Sequence, residues 1–299
     1  MRPFIVIAGD AHPALARRVA ELASAKLVPT TVGAFADGES RVHIESDVSG
    51  ADLYVVQPTS PPANERLMTL ALIVDAARAA GAARITAVTS YFGYARQDVR
   101  KRSGEPRSAQ MAVRILECSG VDSVLALELH SPALESAFRV PLVHLQADEA
   151  ALPLIRAWRL ADPVVISPDA GGLKRAQRYA GALGAGLAVV AKSRPRPDAA
   201  VVLALLGEVR GRHCVIVDDL ASTGETIANA AQALSRAGAA SVQAFFVHAV
   251  MGPTALEKMK AAGVRRIGAT DSVPGGADIE RASIAPLLAR AISASAGRS

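Results

Sequence analysis

Asp218 and Asp219 are adjacent carboxylates followed by Leu220-Ala221-Ser222-Thr223-Gly224-Glu225-Thr226. They end the apolar run Cys214-Val215-Ile216-Val217 and precede an Ala-rich helical pattern beginning Ile227-Ala228-Asn229. The expected order is strand, loop, helix. A loop that leaves a strand's C-terminal end and opens a helix offers unpaired backbone N–H groups and the positive end of the helix dipole, so it suits a phosphate. Carboxylates repel phosphate, so the acid pair needs another task, such as holding ribose hydroxyls or a hydrated Mg²⁺. The ligand these residues point to is a phosphorylated sugar.

Other clusters could contribute chemistry. Tyr91-Phe92-Gly93-Tyr94-Ala95-Arg96-Gln97-Asp98 sets rings beside Arg96, Arg100, Lys101 and Arg102, which suits base stacking and phosphate pairing. Glu128-Leu129-His130 and Pro168-Asp169-Ala170-Gly171-Gly172 each follow an apolar run, placing a histidine and an acid at strand ends. Lys192-Ser193-Arg194-Pro195-Arg196-Pro197 is a basic segment that proline keeps irregular, and a loop able to close as a lid is the expectation there. His12, His43, His144, His213 and His248 have no comparable setting and receive no catalytic role.

The elements that must hold these residues alternate between strand and helix. Leu53 to Gln57, a loop, an Ala-rich helix, Ala80-Gly81-Ala82-Ala83 and Ile85 to Thr89 run in order. Cys214 to Val217, a loop, an Ala-rich helix, Ala237-Gly238-Ala239-Ala240 and Val242 to Val247 repeat that order. Gln57-Pro58 stands in the first copy where the second has Asp218-Asp219. This pattern predicts an α/β fold of two similar domains, 1–145 and 146–299, with mainly parallel sheets flanked by helices and ligands beyond the strands' carboxyl ends. Pro141 to Leu145 is expected to cross between domains, and Ser293 to Ser299 to fray.

Composition narrows the partners. The chain has 299 residues, 51% of them hydrophobic and 20% charged, as in a globular protein. No apolar run approaches the roughly 20 residues that span a bilayer, and the N-terminus lacks a signal-peptide pattern, so a cytoplasmic location is expected. The net charge of +5 suits an anionic ligand, while aromatics at 4% and the absence of a long basic tract argue against nucleic acid. Cys118 and Cys214 are expected to be buried free thiols.

Taken together, these segments resemble the ribose-phosphate pyrophosphokinase family over nearly the whole chain. Besides the acid-pair loop, Phe35-Ala36-Asp37-Gly38-Glu39, Asn64-Glu65-Arg66-Leu67-Met68, Tyr91 to Asp98, His130, Pro168 to Gly172 and Lys192 to Pro197 occur in the family's order. The resemblance implies two type I phosphoribosyltransferase-like domains. It also implies transfer of the diphosphoryl group of ATP to the 1-hydroxyl of ribose 5-phosphate, giving 5-phosphoribosyl 1-diphosphate and AMP. By position it assigns ribose hydroxyls to Asp218 and Asp219 and the 5-phosphate to Ser222, Thr223, Gly224, Glu225 and Thr226. Arg96 and Gln97 are implied to bind ATP, His130 and Asp169 to bind Mg²⁺ or its waters, and Lys192 and Arg194 to steady the transferring group. Phe35, Asp37 and Glu39 are implied to reach the ATP site of a neighbouring subunit, so the resemblance implies a homo-oligomer, a dimer or hexamer.

Three positions depart from the family pattern. Glu225 stands where Gly is common, Glu128 stands where many members have Asp, and Val99 to Gly104 keeps only part of the basic pattern used for phosphate activation and ADP inhibition. A phosphoribosyltransferase and a non-catalytic nucleotide-binding regulatory homologue are the competing readings. The adenine-type loop at Phe35 and the cations at Lys192 and Arg194 weigh against the former, and the presence of those cations, His130 and the acid pair weighs against the latter.

Overall fold

The computed structural model describes residues 4–100, 102–193, 202–275 and 278–297. The chain forms two compact units. One comprises Met1–Gln146, Ser272–Pro274 and Ile284–Ser299; the other comprises Ala147–Asp271 and Gly275–Ser283. The expected division assigned everything after residue 145 to the second domain. In the structure the C-terminal segment instead returns to the first unit, because its last helix packs there on a helix near the N-terminus.

In the first unit the order is β1 (Phe4–Ala8), α1 (Pro13–Leu22), β2 (Lys26–Ala34), β3 (Ser40–Ile44), β4 (Asp52–Val56), α2 (Ala63–Ala79), β5 (Arg84–Thr89), α3 (Ser108–Cys118), β6 (Ser123–Leu127), α4 (Pro132–Glu135) and β7 (Leu142–Leu145). The second unit continues with α5 (Asp148–Ala157), β8 (Pro163–Ser167), α6 (Leu173–Leu183), β9 (Gly186–Ser193), β10 (Val202–Leu206), β11 (His213–Ala221), α7 (Glu225–Arg236), β12 (Ser241–Ala249), α8 (Pro253–Ala261), β13 (Val264–Thr270) and β14 (Glu280–Ala282). The last helix, α9 (Ala285–Ala296), lies against α1. Its small apolar face, Leu288, Ala289, Ile292 and Ala296, is buried, which is why most of the segment expected to fray is helical.

The repeated pattern in the sequence becomes a repeated topology. The first seven-stranded sheet is ordered β3-β2-β1-β4-β5-β6-β7 and the second β10-β9-β8-β11-β12-β13-β14. Among the described residues, only β2/β3 and β9/β10 pair antiparallel; the other pairings are parallel. The twin Ala-Gly-Ala-Ala segments end α2 and α7 alike. Gly81 and Gly238 adopt φ of +82° and +86°, and their carbonyls accept the N–H groups of Gly50 and Gly211 at 2.9 and 2.8 Å. A positive φ there is the helix-ending geometry that glycine takes without a Cβ penalty.

Alternate side chains fill the two faces of each sheet, which accounts for the long apolar runs. Val164, Ile166, Cys214 and Ile216 pack with α7, while Val165, Val215 and Val217 pack with α5 and α6. Strands covered on both faces read as continuous hydrophobic runs.

Three local expectations change. Pro141 to Leu145 is mostly strand β7, paired with β6, rather than a crossing segment. Lys26–Ala34, not anticipated as a strand, pairs with both β1 and β3. Its half-exposed alternation is interrupted by Pro29 and Gly33, which masked the signal. Cys118 is exposed at the end of α3, whereas Cys214 is buried, and burial pushes its thiol up to about 11 against the opposing charge of Arg212. Among the described residues, no helix is long and apolar enough to cross a membrane.

Candidate active site

In the second unit, β11 pairs with β8 only as far as Ile216 but with β12 as far as Ala221. Asp218 and Asp219 therefore lie within the strand's overhang, rather than in the loop after it. β8 has by then turned into Pro168–Gly172, and this turn is tightly built. Ser167 Oγ donates to the Asp169 carbonyl at 2.6 Å, and Gly172 N–H donates to Asp169 Oδ1 at 2.9 Å. A Cβ on Gly172 would lie 2.9 Å from Ser167 Oγ.

Gly172 caps α6, and the first turn of that helix projects Arg175 at the acid pair. Arg175 Nη1 lies 3.2 Å from Asp218 Oδ1 and Nη2 lies 3.4 Å from Asp219 Oδ1. The three side chains retain only 10–16% of their exposure. Asp218 Oδ1 also accepts the Asp219 N–H at 2.9 Å. Burial raises the Asp218 carboxyl well above the usual carboxylate range. The charge and hydrogen bond of Asp219 push the same way, Arg175 opposes, and Asp169 adds a smaller upward push.

Beyond β11, the loop Ser222-Thr223-Gly224 enters α7. Gly224 takes φ of +72°, and a Cβ there would lie 2.7 Å from the Ala255 carbonyl, so glycine is required on two counts. It offers α7 no side-chain cap, leaving the first turn to serve an anion. Thr223 Oγ1 makes only a long contact, 3.4 Å, with the Glu225 N–H. Glu225 is exposed in that first turn, where an acid favours the helix dipole, and Thr226 is half-buried behind it.

The first unit closes the equivalent place with its own side chains. Asp10 stands two residues beyond β1, as Asp169 stands beyond β8, and Gln57 follows β4 at the position of Asp218. Gln57 Oε1 accepts Ala11 N–H at 3.0 Å, and Nε2 donates to Asp10 Oδ1 at 2.9 Å. Arg66 pairs with the same carboxylate. The first unit thus has an amide, already bonded, where the second has Asp218.

The remaining first-unit residues fall in three places. Phe35, Asp37 and Glu39 form the exposed turn of the β2/β3 hairpin, closed by Phe35 N–H to the Glu39 carbonyl at 2.8 Å, with Arg41 5.8 Å from the Phe35 ring centre. Arg96 is exposed, whereas Gln97 Oε1 accepts from Ser108 Oγ at 2.7 Å, at the start of α3. Tyr91 and Phe92 are buried, Phe92 edge-on to Phe138 at 5.7 Å, so they are core rings and not a stacking platform. Only Tyr94 stays open, at 38% exposure, with its hydroxyl bonded to Asn64. His130 is exposed on the turn after β6.

His130 belongs to the first unit and Asp169 to the second. Among the described residues, no group of three or more His, Cys, Asp or Glu is arranged to hold a metal ion. Lys192 lies in strand β9, paired with Leu203 of β10, so the expected loop begins later than Lys192. Arg194 lies outside the described residues.

Arg175 and His144 were not singled out from the sequence. For Arg175 a signal existed: a basic residue in a helix's first turn opposes the dipole, so it calls for an acidic partner. His144 accepts the Leu129 N–H beside His130, a contact that only the β6/β7 pairing creates.

Comparison with known proteins agrees with this geometry. Residues 4–120 match the N-terminal domain of ribose phosphate pyrophosphokinase, and residues 140–277 match the phosphoribosyl transferase domain. The chain is 43% identical over 270 residues to a ribose-phosphate pyrophosphokinase of Vibrio cholerae, covering 90% of this chain and 86% of that protein. It is 38% identical over 288 residues to the Bacillus subtilis protein of the same name, covering 95% and 91%. A crystal structure of phosphoribosylpyrophosphate synthetase from Mycobacterium smegmatis superposes with a TM-score of 0.92 at 32% identity, covering 100% of both chains. With both halves matched in order and relatives of that name sharing 38–43% identity over 90% or more of its length, the chain belongs to the ribose-phosphate pyrophosphokinase family.

Proposed function

We propose that this enzyme transfers the diphosphoryl group of ATP to the 1-hydroxyl of ribose 5-phosphate, giving 5-phosphoribosyl 1-diphosphate and AMP. The observation that carries the reading is the Arg175-bridged acid pair on β11, followed within a few residues by the uncapped start of α7. Asp218 and Asp219 accept the ribose hydroxyls. The loop from Ser222 to Thr226 takes the 5-phosphate through backbone N–H groups and hydroxyls, the arrangement suited to a phosphate dianion.

In the transfer, the sugar's 1-oxygen bonds to the β-phosphorus and gives up its proton to solvent as the β-phosphorus bond to the α–β bridging oxygen breaks, and AMP leaves with that electron pair. Little covalent work falls to the protein. Its task is to align the two oxygens and to neutralise charge on the nonbridging oxygens. We assign the second task to Lys192 and Arg194, and ATP binding to Arg96, Gln97 and the Phe35, Asp37 and Glu39 hairpin. The exposure of that hairpin turn suits contact with a neighbouring subunit in a dimer or hexamer.

Asp169 is a donor of the kind that Mg²⁺ takes. Asp169 offers oxygen, and one Asp169 oxygen is already engaged by Gly172 N–H. Magnesium is commonly held through one or two carboxylates plus substrate phosphates and waters, not by an all-protein cage. His130 and Asp169 are the residues assigned to it or its waters, where it would neutralise polyphosphate charge. A cytoplasmic location belongs to the same reading.

The test is incubation of the purified protein with Mg²⁺, ATP and ribose 5-phosphate. AMP formation that depends on ribose 5-phosphate is expected. Folded protein that makes no AMP, yet consumes 5-phosphoribosyl 1-diphosphate when given a base, would establish a phosphoribosyltransferase instead.

A further inference from the structure

The turn Glu128-Leu129-His130 has a backbone that needs support. Glu128 is buried and adopts φ of +42°, in the left-handed region that non-glycine residues seldom occupy. Such a conformation is costly and persists only where the surroundings over-determine it.

Here the surroundings hold it by successive contacts. Leu127 is the last residue of β6 in register with β7, opposite Leu145. The Glu128 N–H extends the ladder one step and donates to the Leu145 carbonyl at 2.8 Å. The Leu129 N–H then leaves the ladder and donates to Nε2 of His144, also at 2.8 Å. Beyond His130, the Ser131 hydroxyl caps α4 by accepting Leu134 N–H at 3.2 Å and donates to Asp98.

The imidazole of His144 is itself oriented. An N–H can only donate, so Nε2 is the unprotonated nitrogen and the ring proton sits on Nδ1. Nδ1 faces Glu135 Oε1 at 3.0 Å, on α4. One ring thus links strand β7, the turn before His130 and the helix after it. Its side chain keeps 19% of its exposure, and the Glu135 side chain keeps 40%.

We propose that His144, oriented by Glu135, is a positioning residue for His130. By accepting the Leu129 N–H it fixes the strained turn so that His130 is presented in the orientation that diphosphoryl transfer requires. The proposal rests on the assignment of His130 to the ATP and Mg²⁺ side of the reaction. Groups that orient a metal-ligating histidine commonly change activity about 10–100-fold when removed, and His144 acts one residue away from His130, through the Leu129 N–H.

The experiment uses the full chain with Mg²⁺, ATP and ribose 5-phosphate, folding being checked by circular dichroism. His144→Leu keeps bulk but has no acceptor; His144→Gln can place an amide oxygen near the Nε2 position. His144→Leu should lower kcat about 10–100-fold and leave KM for ribose 5-phosphate within about twofold, and His144→Gln should recover most of the loss. In a His130→Ala background, His144→Leu should cost nothing further, because the two residues act through one orientation.

Unchanged kcat in folded His144→Leu, equal losses in the Leu and Gln variants, or losses that multiply in the His130→Ala background would each overturn the positioning role. The His130→Ala single variant is a separate arm. Full turnover there removes the assignment of His130 itself, and the positioning role falls with it.

Discussion

Arg175 reaches Asp218 with one guanidinium nitrogen and Asp219 with the other, at 3.2 and 3.4 Å, all three side chains being mostly buried. The planar guanidinium spans two carboxylates in a way a lysine ammonium cannot. One guanidinium thus bridges both acids, and its charge opposes the burial and the neighbouring carboxylate that raise Asp218. Removing the cation breaks both ion pairs at a buried site. We expect Arg175→Ala to raise KM for ribose 5-phosphate about 10- to 100-fold, and free guanidinium to restore part of it. Steady-state kinetics with and without guanidinium decide the point, and an unchanged KM means that the acids need no such bridge.

The raised Asp218 carboxyl makes a prediction for stability against pH. An acid whose folded pKa exceeds its unfolded value binds more protons when folded. Its contribution to stability is therefore complete below the unfolded pKa of about 4 and is lost as pH rises through the higher folded value. Asp218→Asn removes that loss. The variant's melting temperature, taken relative to the parent chain in the absence of substrate, should climb as pH rises from about 4 toward neutrality. Its affinity for ribose 5-phosphate should fall at the same time. A melting difference that is flat or declines with pH contradicts the burial of Asp218 as its dominant influence.

Much of this architecture was legible because the same apolar and glycine punctuation occurs twice. Ala80-Gly81-Ala82-Ala83 and Ala237-Gly238-Ala239-Ala240 carry the same helix-ending geometry in both units. The passage from strand through loop to helix around the acid pair was legible because an apolar run, a Ser-Thr-Gly turn and an Ala-rich pattern follow one another there, as β11 and α7 do. Tyr91 and Phe92 misled, since aromatic residues next to cations look the same in a sequence whether the ring faces a ligand or the core. Lys192 was placed in a loop because proline follows closely, yet β10 pairs with it from residues distant enough in sequence to give no local signal. The return of α9 to the first unit has the same cause, as does the contact of His144 with Leu129. Each depends on pairing set by tertiary structure, which a local pattern does not record.

Glu225 occupies a position where an added carboxylate beside a phosphate would seem costly. The structure puts it on the exposed side of the first turn of α7, where an acid complements the helix dipole and solvent screens its charge. Glu225→Gly should therefore change KM for ribose 5-phosphate by less than about threefold near 0.15 M ionic strength, with a larger effect at low salt. It should also lower stability by about 0.5 to 1 kcal/mol, from glycine's backbone entropy and the lost dipole interaction. Chemical denaturation and kinetics at two ionic strengths measure both effects. A large, salt-independent tightening on substitution means that the carboxylate points at the phosphate.

Lys192 is assigned to charge that develops during transfer, and its backbone is fixed by the β9/β10 ladder opposite Leu203. A cation on a paired strand needs less ordering when substrate binds than one on a free loop, so its contribution falls mainly on the transition state. Lys192→Ala should reduce kcat by about 10²- to 10³-fold while KM for ribose 5-phosphate changes only a few-fold, because the proposed function assigns the sugar to the acid pair and the α7 loop. Lys192→Arg should recover part of kcat, since charge is retained but the compact ammonium is replaced by a planar fork. The comparison of the two variants separates charge from geometry. If Lys192→Ala instead raises KM for ribose 5-phosphate and leaves kcat intact, the lysine binds the ground state and the transferring group is steadied elsewhere.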